Sequence, residues 1–250
     1  MTGFSYQLYS SRNFPPLEDT LEMLSKLGYN NVEGFGALLE DVNPRELRTL
    51  LDKINLTMTS SHVGLDLIES DPQRVIDITK AIGIEKVYGP YLQEEDRPKN
   101  TEDWIDFAKK LKGLSQPLID AGLGFGWHNH DFEFLRLEDG QIPIEVMLSE
   151  FTNLEIEFDV AWCVKADHDP IEFIKKHNAR ITAAHIKDIA AAGECADEDG
   201  WADVGYGIVD WPTIYDALKA SGTKLFIMEH DNPNDHNRFA SRSLASAKSF

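Results

Sequence analysis

The sequence predicts a (β/α)₈ barrel, and three observations carry that expectation. The 250 residues, 42% of them hydrophobic, suffice for one large barrel core. Eight short β-type runs alternate with amphipathic helical stretches from end to end. The turn after the first run reads Ser10-Ser11-Arg12-Asn13, without the Gly-rich phosphate turn of a doubly wound open sheet, the competing arrangement. A single domain over residues 1–250 is expected.

Phe4 to Tyr9 reads as the first strand. Leu17, Leu21, Leu24 and Leu27 then repeat at helical spacing, with Gly28 as the C-terminal stop. Asn31 to Phe35 is the second strand, and Asn43 caps a helix that Pro44 opens and that runs to about Ile54. Leu56 to His62 is the third strand, followed by a helix capped at Asp71-Pro72. Lys86 to Tyr91 is the fourth, and a long helix runs from about Thr101 to Ala121. Leu123 to His130, Leu154 to Trp162, Ile181 to Lys187 and Leu225 to His230 are the fifth to eighth strands. Before the last of these, Asp210 caps a helix from Trp211 to Ala220. The longest irregular stretches, Asp131 to Pro143 and Ile189 to Gly207, both follow strands, on the barrel face where loops shape a pocket.

Twenty-four Lys and Arg stand against 43 Asp and Glu, a net charge of −19. That balance repels phosphate backbones and anionic membranes, so neither nucleic acid nor a membrane is expected as a partner. Cys163 and Cys195 are the two cysteines, too few for a disulfide framework or a thiolate metal site. With no basic-then-apolar leader at Met1 and no run long enough to span a bilayer, a cytoplasmic location is expected. A homo-oligomer is left open.

The informative feature is what stands at the strand tips. Gln7 ends the first strand, Glu33 lies in the second and His62 closes the third. His128 with His130, Glu157 with Asp159, His185 with Lys187, and Glu229 with Asp231 each share a face by period-two alternation. So many ionisable groups converging in one barrel mouth need mutual pairing or a cation. Carboxylates and imidazoles without thiolate suit Mn²⁺, Mg²⁺, Co²⁺ or Zn²⁺. No HExxH or CxxC pattern is present.

Tyr6-Gln7-Leu8-Tyr9-Ser10, Val32-Glu33-Gly34, Ser61-His62, Trp127-His128-Asn129-His130-Asp131-Phe132-Glu133-Phe134, Phe158-Asp159-Val160-Ala161-Trp162, His185-Ile186-Lys187-Asp188, Asp203-Val204-Gly205-Tyr206-Gly207 and Met228-Glu229-His230-Asp231 together resemble the sugar phosphate isomerase/epimerase family. That family belongs to the xylose-isomerase-like, AP-endonuclease-like barrel superfamily, and the resemblance covers essentially the whole chain. It implies one divalent cation held by the fifth to eighth strands. Asp159, His185 and Glu229 match three ligand positions. The fifth-strand position, commonly Glu in the family, is His128 here; either His128 replaces the carboxylate or Glu133 reaches back, with His130 or Glu133 in support.

The resemblance and the strand tips together imply a metal-dependent carbohydrate isomerase or epimerase working through a metal-stabilised ene-diolate. Glu157, His62 and Glu33 are candidates for the base. Lys187 either holds a carbonyl or enolate oxygen or pairs with Glu157 or Asp188. Gln7, His130, Trp162 and Trp127 are expected to bind substrate, the tryptophans together with Trp201 as core or as a wall for a sugar ring. Gly205-Tyr206-Gly207 reads as a turn whose amides could also reach a sugar. The alternative on the same barrel is a lyase or hydrolase of 3-keto glycosides, which the histidine at position 128 favours. An AP-endonuclease-type nuclease needs a basic groove that the charge opposes. A non-catalytic sugar-binding barrel differs from both enzymes in lacking metal. Few cations follow the seventh strand, so a neutral sugar or glycoside is expected rather than a phosphate ester.

Overall fold

A computed structural model describes residues 3–250. Eight parallel strands close a barrel: β1 (Phe4–Gln7), β2 (Asn31–Gly34), β3 (Thr57–His62), β4 (Lys86–Gly89), β5 (Gly124–His128), β6 (Glu155–Asp159), β7 (Ile181–Ile186) and β10 (Leu225–Met228). Each pairs with its neighbour in that order, and β10 closes onto β1 through Phe4–Phe226 to Tyr6–Met228. An antiparallel pair, β8 (Asp188–Ile189) and β9 (Trp201–Ala202), structures the long loop after β7.

The helices form for local reasons. In α1 (Leu17–Leu27) the i, i+4, i+7 leucines give one apolar face, and Gly28 ends it at φ 99°, its N–H bonding to Leu24 and Ser25 carbonyls. Asn43 caps α3 (Pro44–Lys53), Asp71 caps α5 (Pro72–Ile82) and Asp210 caps α10 (Trp211–Ser221), each accepting first-turn N–H groups. The long α6 (Thr101–Asp120) buries Trp104, Ala108, Leu111, Ser115 and Leu118 along one stripe. These faces pack on the outer residues of the strands to make the main core.

Most strands stop short of the expected ends, because their last residues enter turns. Gln7 accepts the Tyr9 N–H and starts a 3₁₀ turn over Leu8–Ser11. Asp159 likewise ends β6 and caps α8 (Val160–Lys165). Two further short helices, α2 (Gly36–Asp41) and α4 (Leu65–Ser70), follow β2 and β3. At six residues each they are too short for an apolar repeat to declare them. The loop from Asp131 ends where α7 (Pro143–Glu150) begins, and α9 (Pro170–His177) and α11 (His236–Ala247) complete the helices.

Inside the barrel the filling is mixed. Tyr88, Ala183 and Ile227 form an apolar plug. The Tyr88 ring occupies space that position 126 must leave, since a Cβ on Gly126 would lie 2.7 Å from it. Above the plug the inward residues turn polar. Register shifts between Val32 and Glu33, and between Ile156 and Glu157, occur where these acids turn inward. Bulges of this kind re-aim a side chain next to a functional site.

Candidate active site and metal centre

The strand tips converge as two overlapping groups of possible ligands. His62, His128, Glu157 and His185 form one, and His128, Asp159, His185 and Glu229 the other; within each, donor atoms lie within 4.8 Å of one another. All six residues are buried. Hydrogen bonding separates the groups. His185 gives Nε2 to Glu33 Oε1 at 2.8 Å, while its Nδ1 faces Glu229 Oε2 at 2.9 Å. Both nitrogens thus face a carboxylate; a cation seated with Glu229 would take the Nδ1 proton's place while Glu33 keeps Nε2.

Asp159 is prepared in the same sense. Its Oδ1 caps α8 by accepting the Trp162 N–H at 3.0 Å, while buried Oδ2 has no hydrogen-bond partner. His128 Nδ1 is also buried, 3.2 Å from Glu157 Oε2 but without hydrogen-bond geometry to it. Such atoms are costly unless something coordinates them. At His185 burial is outweighed by Glu157 and Glu229, which hold it well above its usual range, so a cation here would replace its proton. Two carboxylates with the imidazoles then neutral offset a divalent charge, and this donor set fits a Mn²⁺-, Mg²⁺-, Co²⁺- or Zn²⁺-type cation. Asn129 locks the geometry, giving Nδ2 to the Asp159 carbonyl and accepting the Asp159 N–H, both at 3.0 Å.

Burial and then His185 push His128 down to about 3, keeping it a neutral imidazole. Burial raises Glu33 to about 7, with repulsion from Glu157 adding to the effect. Burial also raises Asp159 to about 7, against the pull of Lys187. Glu157 goes the other way: burial is outweighed by His185, His62 and His128, which hold it well below its usual range.

The remaining predicted residues divide by access. His62 lines the cleft and gives Nε2 to Glu157 Oε2 at 2.5 Å. His130 and Trp162 line it too, their rings 5.3 Å apart. Gln7, Glu33 and Glu157 are fully buried behind this surface. Gln7 Nε2 donates to Glu33 Oε1 at 2.9 Å and the Ser60 hydroxyl donates to Oε2, so both hold Glu33. Trp127 faces away from the mouth, packing on Phe107 and giving its indole N–H to Glu133 Oε1 at 2.8 Å. The core alternative therefore describes Trp127. Glu133 also accepts the His130 N–H and belongs to neither ligand group.

Lys187 pairs with neither Glu157 nor Asp188, the partners in one of the two alternatives for it. Its Nζ lies 2.7 Å from Asp231, 3.3 Å from Glu229 and 3.8 Å from Asp159, over the Trp201 ring. The strand ends at Ile186, and the following residue swings toward the β10 tip. Asp188 instead accepts the N–H groups of Ile189, Gly205, Gly207 and Val209. The Gly205 and Gly207 amides are thereby committed to Asp188. A Cβ at Gly207 would sit 2.2 Å from the Asp188 carboxylate, so the turn needs glycine there. The roles of Asn129 and Asp188 escaped the sequence reading, although both stand within its quoted motifs; a polar residue beside a tip ligand was the available signal.

Over this floor opens a cleft of about 1080 Å³. His62, His128, Glu229 and Asp231 form its base, and the loops after β1, β2 and β4 supply Tyr9, Phe35, Leu38 and Tyr91. Arg12 and Arg97 are the cationic residues lining it. Arg12 donates to the carbonyls of Tyr9 and Asp231 and stacks on Tyr9. Arg97 donates to the Leu92 carbonyl and Tyr91 hydroxyl and stacks on Phe132.

A family model described as the xylose isomerase-like TIM barrel matches residues 21–249. The rhizopine catabolism protein MocC of Rhizobium meliloti is 23% identical over 254 residues, covering 88% of this chain and 76% of that protein. Among solved structures, a sugar phosphate isomerase/epimerase from Parabacteroides distasonis superposes with a TM-score of 0.82 at 21% identity, covering 99% and 94% of the two chains. The IolI protein, solved with a bound zinc atom, superposes at 0.75 with 17% identity, covering 99% and 95%.

Proposed function

The chain belongs to the xylose isomerase-like TIM barrel family, and on that premise we propose that it is a divalent-metal-dependent carbohydrate isomerase or epimerase. The observation that carries this reading is the buried convergence of His128, Asp159, His185 and Glu229, with Asp159 Oδ2 unpartnered. Those four residues would hold the cation. When bound, it supplies Lewis acidity that lowers the pKa of a C–H beside a sugar carbonyl.

The chain's own residues handle the proton and the sugar. With Glu157 holding a proton on His62 Nε2, the lone pair falls on Nδ1 of a residue that lines the cleft. His62 is therefore the base, and Glu157, sealed from the cleft, orients it and stabilises its charged form. Lys187 is also sealed in, so it fixes Glu229 and Asp231 rather than an enolate oxygen. His130 and Trp162 offer ring faces to the sugar. Both cleft arginines are occupied by carbonyls and rings, which supports a neutral sugar over a phosphate ester.

A second reading is favoured by one observation: an imidazole, His128, stands where a carboxylate would complete a symmetric acid–base pair, while Glu33 and Glu157 are out of reach. The same proton removal from a 3-keto glycoside, followed by loss of the β-substituent, is a lyase reaction. Metal-loaded protein incubated in D₂O with ketoses and with 3-keto glycosides separates the two. Deuterium entering the sugar without cleavage supports the isomerase; release of the aglycone supports the lyase. Neither outcome with any of the four metals would sink both.

A further inference from the structure

The cleft is larger than its chemistry needs. Pockets that enclose a drug-sized ligand run from about 300 to 1000 Å³, and this one reaches about 1080 Å³. Of the proposed ligands only His128 and Glu229 reach the lining, and with His62 they form its floor at the tips of β3, β5 and β10, with Asp159 and His185 buried beneath. One sugar ring bound there leaves the outer part unfilled.

That outer part has a definite character. Tyr9 and Tyr91 stand 38% and 39% exposed, large aromatic side chains lining the same cleft. Phe35 packs edge-on against Tyr9 at 5.5 Å, and Leu38 of α2 adds aliphatic surface. These positions are also held. Arg12 backs the Tyr9 ring at 3.9 Å, and Arg97 donates to the Tyr91 hydroxyl at 2.6 Å. Fixed aromatic faces lose little entropy on binding, which marks a recognition surface rather than an untidy rim. With both arginines so engaged and Asp41 and Asp131 also on the lining, an anionic ligand is disfavoured.

We infer that the cleft carries an outer subsite, formed by Tyr9, Phe35, Leu38 and Tyr91, for an uncharged apolar ring joined to the reacting sugar. The substrate class is then a glycoside with an aromatic or alicyclic aglycone, rather than a free monosaccharide. The inference rests on the proposed reading of the floor as the reacting end.

The test uses phenyl and methyl β-D-glucopyranoside, which share the sugar and lack the carbonyl that the reaction needs. Each is titrated into the metal-loaded protein by calorimetry. Phenyl glucoside is expected to bind about tenfold more tightly, the scale of one well-stacked ring. Tyr9→Ala and Tyr91→Ala should each pull that ratio toward one, with melting curves reporting whether the variants fold. Equal affinity of the two glucosides for the wild-type protein, or no measurable binding of either, overturns the inference. So does a ratio that survives in both folded variants. Failure of the proposed reaction is seen separately, as no deuterium uptake and no cleavage with any keto sugar, and leaves the binding ratio standing.

Discussion

In the proposed metal centre His185 must be held by its far nitrogen, and fully buried Glu33 accepts from Nε2 at 2.8 Å. Glu33→Gln keeps the shape but weakens the charge-assisted bond. Metal affinity, measured by competition with a chelator, should fall about tenfold, at the lower end of what loss of such a partner costs. Unchanged affinity would remove Glu33 from the positioning role. Asn129 acts on the backbone of Asp159 instead. Asn129→Ala removes both of these bonds from the buried Asp159 backbone, so chemical denaturation should show a loss of about 1–3 kcal/mol. At this scale the sequence told direction but not depth. Alternation along the strands aims Gln7, Glu33 and Glu157 inward, and they do point inward. Whether a residue so aimed meets the cleft or supports a neighbour depends on bulges and on the long side chains above it, which no local pattern encodes.

Among the elements, the strands and the long helices were legible because periodicity and capping residues agree, as at Asn43-Pro44 and Asp71-Pro72. The short α2, α4 and α8 were not, because six residues carry no apolar repeat of their own. The interior of the barrel depends on one absence of a side chain. Gly126→Ala places a Cβ 2.7 Å from the Tyr88 ring and 2.9 Å from the Glu155 carbonyl, and backbone cannot yield easily. A loss of about 1–3 kcal/mol in denaturant titration is expected. Between α7 and α9, Glu145 receives His177 at 3.0 Å and Lys176 at 2.9 Å. Burial pushes the carboxyl up, but these two partners outweigh it and hold its pKa below the usual 4.5. A depressed acid contributes stability above its unfolded pKa and loses it as pH falls through the folded value. Thermal melts of Glu145→Gln should therefore lie below wild type at neutral pH, and the gap should close only below pH 4.5. A gap that widens on acidification would refute the assignment.

For the whole molecule, charge and site meet. The net charge of −19 repels itself in the compact state, and the acids buried at the barrel mouth add a local cost. On the proposed reading a divalent cation would relieve both, by screening anywhere and by coordination at one place. Coordination at about 100 times the dissociation constant contributes about 2.7 kcal/mol. For a chain of this size that is a rise of roughly 5–10 °C in melting temperature. Screening alone should be small at physiological salt, where the Debye length is about 8 Å. The two effects separate in Asp159→Asn and Glu229→Gln. Asparagine still caps α8, so the first variant loses charge at the site without losing the helix start. Wild type titrated with Mn²⁺ after chelator treatment should gain the full rise, and each variant only the screening part. If both variants rise as far as wild type, the cation is held elsewhere and the His128–Asp159–His185–Glu229 assignment fails.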